Sequence, residues 1–517
     1  MYLMSPNLNK EEKYDRQLRL WAKDGQSRLE KCHVCLLNAT PTGAEALKNL
    51  VLPGIGAFTI VDERTITKND LSGNFFLEDK DIGMSFAERT AKSLLELNPS
   101  VECHSVRMSA QDCLTTPDFF ESFDMVLVSD YLPLPDLLVL KERLWLKNIP
   151  LLHVSTCGFY GSLQIFCNET TIVETHDPSQ TYDLRIDKPW PALQEYADSF
   201  NLEALDDTEH AHVPYIIIFI KALESWKDNH GGCIPRNYDE KRAFKVEYIE
   251  RLARDIRLEA NFGEATQQVH RALQVTTVPT YLKLLSQDPR VCDHSISEET
   301  PLFWIFIKAL SSFVESHGAL PLPGTLPDMV SNTSNYVKLQ EIYRRKALED
   351  QEEFASILRR IFATFGKKDE VPTDSVAAFC KNSANLYYAK GTRDTFSNQL
   401  RDKMISCSAP VNTLAIHYGI HALHSWIYRG SQGDFAEFLD SFFRTSGLSS
   451  MNMVSTSCKE VLQEVFQHQT RGFHSTCSFM GGIVSQEILK IATAQYIPLD
   501  NLFVFDGIHS ASEKWKV

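Results

Sequence analysis

Several features are missing from this chain of 517 residues, and each absence excludes something. No apolar run is long enough to cross a bilayer: VPYIIIFI at 213–220 is among the longest, and a spanning helix needs about 20 residues. There is no basic excess. Lys and Arg number 52 against 67 Asp and Glu, a net charge of −15, with no long Lys/Arg run. That balance argues against nucleic acid and anionic membrane as partners. The polar N-terminus does not read as a signal peptide. Cysteines are present but unpatterned: of the 12, only Cys32 and Cys35 form a CxxC pair, and no second pair follows. Because this pair falls in what reads as a buried strand, we expect apolar thiols, not zinc or redox chemistry. The expectation is a soluble intracellular protein with reduced thiols and no metal of its own.

What is present is an ordinary globular mixture, 43% apolar and 23% charged, enough for a core without disulfides. The length suggests about three domains. Residues 33–167 alternate strands and helices. HVCLLNA (33–39), AFTIVD (57–62), ECHSVRM (102–108), DMVLVSD (124–130), PLLHVST (150–156) and SLQIFC (162–167) read as strands. Helices fit at 85–97 and 134–147, and Thr42 with Glu45 has the spacing of a capping box. This alternation predicts an α/β fold with a mainly parallel, doubly wound, Rossmann-like sheet. Residues 168–454 have helical periodicity instead. KALESW (221–226), KALSSF (308–313) and HALHSW (421–426) each place apolar residues at positions 2, 3 and 6, one helical face. They sit too far apart for a short-period solenoid and read as three similar amphipathic helices. From 455 the pattern is α/β again, with a helix opened by the Gly481-Gly482 pair and a strand at LFVFD (502–506). The expected architecture is therefore a sheet domain, 1–167 and 455–517, split by a large, mainly helical insertion at 168–454.

The first strand–turn–helix is where a dinucleotide or ATP loop belongs, with the pattern GxGxxG. The string there is Asn38-Ala39-Thr40-Pro41-Thr42-Gly43. Asn38 can enter a left-handed turn, and Gly43 allows helix and strand to pack closely. Thr40 stands where glycine would let backbone approach phosphate, and Pro41 removes an amide donor. The turn survives but the phosphate cradle does not, so no bound nucleotide is expected here. Asp62 lies where an acid would hold a ribose, and reads as a solvated strand end or a relic.

KYDRQLRLW (13–21), this degenerate loop and NLVLPGIGAFTIVD (49–62) together resemble the ubiquitin-like-modifier-activating enzymes. LSGNFF (71–76), DIG (81–83) and LNP (97–99) continue the match in order. DLRIDKPWPAL (183–193), HVPYIIIFIKALESW (212–226), LPGTLPDM (322–329), YVKLQEIYRRKA (336–347) and GGIVSQEILKI (481–491) are similar to the regulatory-subunit branch of that family, in the neddylation-activating heterodimers. The resemblance implies a ThiF/MoeB-type sheet domain that is the inactive one of two adenylation halves. In active halves an Asn-x-x-Arg string and the Lys of DxGxxKA handle ATP. Here they read Asn74-Phe75-Phe76-Leu77 and Asp81-Ile82-Gly83-Met84-Ser85-Phe86-Ala87, so neither cation is present.

The resemblance further implies a catalytic partner subunit that carries ATP, Mg, a structural zinc and the nucleophilic cysteine. The pair would adenylate a Nedd/Rub-type ubiquitin-like modifier, load it as a thioester and pass it to a conjugating enzyme, in cytoplasm and nucleus. This chain would not be an enzyme by itself. Arg16, in Tyr14-Asp15-Arg16-Gln17, matches the family's arginine that reaches in trans to the partner's ATP phosphates. Its bland alternative is a surface arginine paired with Asp15 or Glu12. Cys233, Cys380 and Cys407 in the helical region read as packing thiols. Pro327-Asp328-Met329 reads as structural. The alternatives are a non-catalytic scaffold, which a role for Arg16 would exclude, a partner half for another ubiquitin-like modifier, and a nucleotide-dependent oxidoreductase, which needs a working loop at 38–43.

Overall fold

The computed structural model describes residues 10–177, 182–292, 296–366, 373–393, 400, 402–404, 412–430, 434–445, 456–469 and 471–517. The chain forms two units, Met1–Ile172 with Tyr387–Val517, and Val173–Leu386.

Among the described residues the first unit has ten strands: β1 (His33–Leu37), β2 (Ala57–Val61), β3 (Glu102–Val106), β4 (Met125–Ser129), β5 (Leu151–Cys157), β6 (Tyr160–Phe166), β7 (Glu169–Ile172), β8 (Tyr387–Lys390), β9 (Leu502–Asp506) and β10 (Ala511–Trp515). Eight form one sheet in the order β10-β9-β6-β5-β4-β1-β2-β3. β1 to β5 are parallel, whereas β6, β9 and β10 run antiparallel to their neighbours, so the sheet is mixed where the sequence predicted it mainly parallel. β4 and β5 are buried along their whole length, and β4 accordingly reads as an apolar run and not as alternation. The CxxC pair is split by the sheet: Cys32 packs in the cluster of Val34, Leu36 and Phe58, and Cys35 in that of Leu37 and Val126. Its residues are three apart, an odd step, so they face opposite ways.

Helices α1 (Asp15–Leu29), α2 (Pro41–Val51), α3 (Phe86–Leu95) and α4 (Leu134–Leu146) follow in the first part of this unit. The second unit contributes α5 (Tyr215–Asn229), α6 (Leu302–His317) and α7 (Thr333–Thr364). The returning chain adds α8 (Thr413–Tyr428), α9 (Thr456–His468) and α10 (His474–Thr493). Helix α2 begins at Pro41 with Thr40 as its cap, not at Thr42. Proline suits the first helical position because its missing N–H has no partner there anyway. The Gly481-Gly482 pair lies within α10, not at its start. A Cβ on Gly481 would stand 2.7 Å from the Glu45 Cβ and 2.9 Å from the Ala46 nitrogen, so the glycine is what lets α10 lie against α2.

The boundaries differ from those read at 167 and 454. The separate unit ends at Leu386, and β8 pairs antiparallel with β7. α8, apolar nearly all round, packs on β6 and β9, where the His417 Nδ1 and the Ser162 Oγ lie 2.8 Å apart. All three hexapeptides are helical, and Ala222, Leu223, Trp226, Ala309, Leu310, Phe313, Ala422, Leu423 and Trp426 are all buried. Two belong to the second unit and one to the first.

In the second unit, motif residues of the sequence support one another. Tyr343 donates to the Leu184 carbonyl at 2.6 Å and meets the Trp190 ring edge-on at 4.9 Å. Asp350 accepts the Leu322 amide at 2.8 Å and Lys346 at 2.6 Å. In the Pro327-Asp328-Met329 string, Pro327 is buried and Met329 packs on the core. Asp328 is exposed and makes no hydrogen bond among the described residues, so the two apolar neighbours carry the structural role.

Candidate functional site

The chain leaves β1 for β2 and β3 on one side, then returns to place β4 on the other. The switch point between β1 and β4 is where open α/β sheets hold ligands, beyond the strands' carboxyl ends. A cavity of about 730 Å³ lies there, lined among others by Thr40, Asp62, Arg64, Ser129, Asp130 and Thr156. That volume would suit a small molecule, so what matters is how its walls are bonded.

The β1–α2 loop is tied down at each residue. Asn38 has φ +68° and donates from its side chain to the Tyr131 carbonyl at 2.9 Å. The Ala39 amide donates to Asp62 Oδ2 at 2.9 Å. The Thr40 hydroxyl accepts the Gly43 amide at 3.4 Å and meets the Ser129 hydroxyl. A Cβ on Gly43 would come within 2.8 Å of Leu36 Cδ1 and 3.0 Å of Ser129 Cβ, so this glycine serves helix–strand packing. The amide of Ala39 and the hydroxyl of Thr40, groups that could face a phosphate, bond the protein itself.

Asp62 is not the solvated strand end the sequence suggested. It is buried and accepts Arg64 Nε at 3.0 Å and Arg64 Nη2 at 2.6 Å, besides two backbone amides. A ribose would have to displace a guanidinium. Arg64 in turn lies 4.7 Å from the centre of the Phe86 ring. It was missed in the sequence, although an acid and an arginine two residues apart just past a strand end were a readable signal. Asp130 accepts the Thr156 amide at 2.7 Å and the Thr156 hydroxyl at 3.1 Å. Burial raises its pKa, opposed by these bonds and one from Thr40. His153 supports the Asp130 carbonyl from below at 3.0 Å.

Leu77 and Phe86, the two positions that the resemblance sets against ATP-handling cations, are both in the hydrophobic core. Leu77 is 7% exposed and Phe86 2%, in one cluster with Ile60, Ile66 and Leu94. Both side chains therefore serve packing, and Phe86 also lines the cavity.

Arg16 behaves differently. Tyr14, two residues earlier, is buried and its hydroxyl accepts the Asn98 side chain at 3.1 Å. Lys13 reaches the same Asn98 at 2.6 Å, so the YDRQ and LNP strings meet and anchor α1. Asp15 pairs with Arg19 at 2.9 Å. Arg16 is left exposed with no hydrogen bond or ion pair among the described residues, on a helix start fixed by Tyr14. The structure does not bring Arg16 together with the cavity's loop residues Asn38, Thr40 and Gly43.

Of the helical-region cysteines, Cys380 is buried and its thiol pushed up to about 12 by burial and then by Asp350. Cys233 is exposed, not a packing thiol: it follows the turn at Gly231-Gly232, with Arg236 Nη2 at 3.8 Å. Cys407 lies outside the described residues. Burial likewise raises Cys32 and Cys157 to about 12.

The ThiF family profile matches residues 14–517. A Xenopus laevis protein named NEDD8-activating enzyme E1 regulatory subunit is 34% identical over 534 residues, covering 98% of this chain and 99% of its own. The Drosophila melanogaster protein of that name is 35% identical with 99% of both chains covered. The regulatory subunit AXR1 of Arabidopsis thaliana is 30% identical, covering 98% of this chain and 96% of its own. Among solved structures, E. coli MccB with ATP overlays 30% of this chain and 48% of its own at a TM-score of 0.27 and 17% identity, too little to carry function. On the strength of the sequence matches, the chain belongs to the ThiF family and, within it, to the NEDD8-activating enzyme E1 regulatory subunits.

Proposed function

We propose that this chain is the non-catalytic half of a heterodimeric activating enzyme and acts on chemistry that takes place in its partner. A catalytic subunit holds ATP and Mg and adenylates the C-terminus of a Nedd/Rub-type modifier. It then carries the modifier as a thioester to a conjugating enzyme, with cullins as final targets. The reading rests above all on the burial of Leu77 and Phe86 where ATP-handling cations would stand. Both side chains pack in the core, and at Phe86 an apolar ring forms the cavity wall where a cation would stand. The closed loop at Asn38–Gly43 and the occupied Asp62 agree with it, and the chain itself holds no nucleotide. The complex works in cytoplasm and nucleus, without nucleic acid or membrane as partner.

Arg16 is this chain's direct contribution to the chemistry. Negative charge builds on the leaving pyrophosphate as the acyl-adenylate forms. A planar, permanently charged guanidinium can bridge two of its oxygens, which an ammonium does less well. Because the partner brings cations of its own, the effect is about 10–10³-fold. Arg16→Ala should assemble normally and slow ATP:pyrophosphate exchange in the heterodimer by that factor, with Arg16→Lys only partly restored. Exchange at the wild-type rate, at both saturating and limiting ATP, would return Arg16 to an ordinary surface role and leave the chain a scaffold.

A further inference from the structure

The second unit has a cavity of its own, about 280 Å³ in volume, which the activating chemistry above does not use. Asp183, Leu184 and Arg185 of the DLRIDKPWPAL string line it, together with Arg271, Thr277 and Asn385. Its walls are tied to the rest of the unit. Tyr343 donates to the Leu184 carbonyl at 2.6 Å, and Tyr281 to the Ala384 carbonyl at 2.8 Å. Asp187 accepts the Thr276 amide at 2.9 Å and the Thr276 hydroxyl at 2.5 Å. Arg185 has φ +49°, in the left-handed region that an arginine rarely enters. Such conformations persist where the surroundings fix them, and they gather at ligand sites.

The two arginines differ in what they are paired with. Arg185 has a side chain only 9% exposed; its Nη2 donates to Asp183 at 3.1 Å and to the Leu320 carbonyl. Arg271 has no carboxylate within ion-pair distance among the described residues. Its Nη1 donates to the Tyr215 hydroxyl, and its guanidinium lies 5.3 Å from the Tyr182 ring centre and 5.8 Å from that of Tyr215. Aromatic rings hold a guanidinium without cancelling its charge. Nε and Nη2 of Arg271 make no hydrogen bond among the described residues, and together they form the edge that can donate to both oxygens of one carboxylate. The side chains of Thr277 and Asn385 are likewise without a hydrogen bond among the described residues.

Charge and size narrow the class of ligand. Two arginines against one aspartate leave the lining with a single positive charge, in a chain of net charge −15. A carboxylate brings one negative charge, whereas a phosphate monoester brings about −1.5 to −2 and would leave an excess beside Asp183. The volume lies just under the range of about 300–1,000 Å³ that holds whole small-molecule ligands, so it suits one group the size of a side chain.

We propose that this cavity is a carboxylate-binding site, with the Nε–Nη2 edge of Arg271 as its fork and Thr277 and Asn385 as flanking donors. The carboxylate would come from an acidic side chain of a protein partner or from a small free acid. The test titrates the full chain at constant ionic strength with acetate, N-acetylglutamate amide, N-acetylglutamine amide and inorganic phosphate, read by melting temperature and by the arginine Nε–H signals in NMR. N-acetylglutamate amide should saturate with a dissociation constant on the order of 1 mM, and the glutamine analogue should not bind. Arg271→Gln should weaken the carboxylate by about 10-fold or more, and Arg271→Lys should recover part of that. Asn385→Ala has no bond among the described residues to lose, so it should melt like wild type and still bind the carboxylate more weakly. Arg236→Gln, at an exposed arginine of the same unit, should bind like wild type. Tighter binding of N-acetylglutamate amide than of acetate supports the site with a protein-borne side chain as ligand, and the reverse order supports it with a small free acid. Absence of saturable binding, phosphate binding tighter than both carboxylates, or an unchanged affinity in Arg271→Gln overturns the proposal.

Discussion

The cavity and the first turn of α1 are both polar, and they differ in where their polar groups find partners. In the cavity, Asp62, Asp130, Thr40 and the Ala39 amide all bond within the chain. On α1, Arg16 has no such bond among the described residues, although its neighbours Tyr14 and Asp15 do. A group that bonds its own protein must break that bond to meet a ligand; an exposed guanidinium need not. The comparison teaches that a cavity at the switch point of the sheet can have its polar groups already engaged by the chain, while the group left open to a partner lies outside it.

Returning a cation to the cavity wall should break the comparison if it is wrong. Phe86→Lys removes a buried ring and leaves an unpaired ammonium in the core, so it should destabilise the chain by about 3–5 kcal/mol in urea unfolding. It should restore no ATP binding. A stable variant that binds ATP would mean the site was only one residue from function.

Acid should act next, on the buried histidines His153 and His424. Burial lowers His153 to about 4, and burial followed by His153 lowers His424 to about 3, from an ordinary 6.5. Both are bases whose folded pKa is depressed, so the unfolded chain takes up protons first. Their contribution is complete above pH 6.5 and shrinks as the pH falls from there toward 4 and 3. At pH 4.5 the loss is on the order of 3–5 kcal/mol. Replacing His424 with Gln should flatten that limb of the stability curve. A curve unchanged in slope between pH 6.5 and 4.5 would contradict the neutral, buried assignment.

The smallest effect sharpens the loop. Gly43→Ala forces a methyl against Leu36 and Ser129, and overpacking of this kind costs about 1–3 kcal/mol. Thermal melting should show that loss, with pyrophosphate exchange by the folded heterodimer unchanged, because the residue serves packing and not phosphate.

Much of this was legible in the sequence because it depends on local pattern. The strands at 57–62, 124–130 and 502–506 read as apolar runs, and the missing cations at Leu77 and Phe86 could be seen by position. What could not be read depends on partners distant in the chain. The pairing of β7 with β8 joins Thr171 to Tyr388, and neither segment is apolar enough to declare a strand alone. β10 carries Glu513 and Lys514 on an edge, so it lacks a buried strand's signature. The return of residues 387–428 to the sheet unit was masked because α8 reads as one more apolar helix. Asp62 had the right position for a ribose acid, and only the fold shows Arg64 already bound to it.

The most direct measurement of the central claim is ATP:pyrophosphate exchange by the purified chain, with modifier present, first without and then with the catalytic subunit. The account predicts no exchange above background from the chain alone and robust exchange once the partner is added. Robust exchange by the chain alone would contradict it.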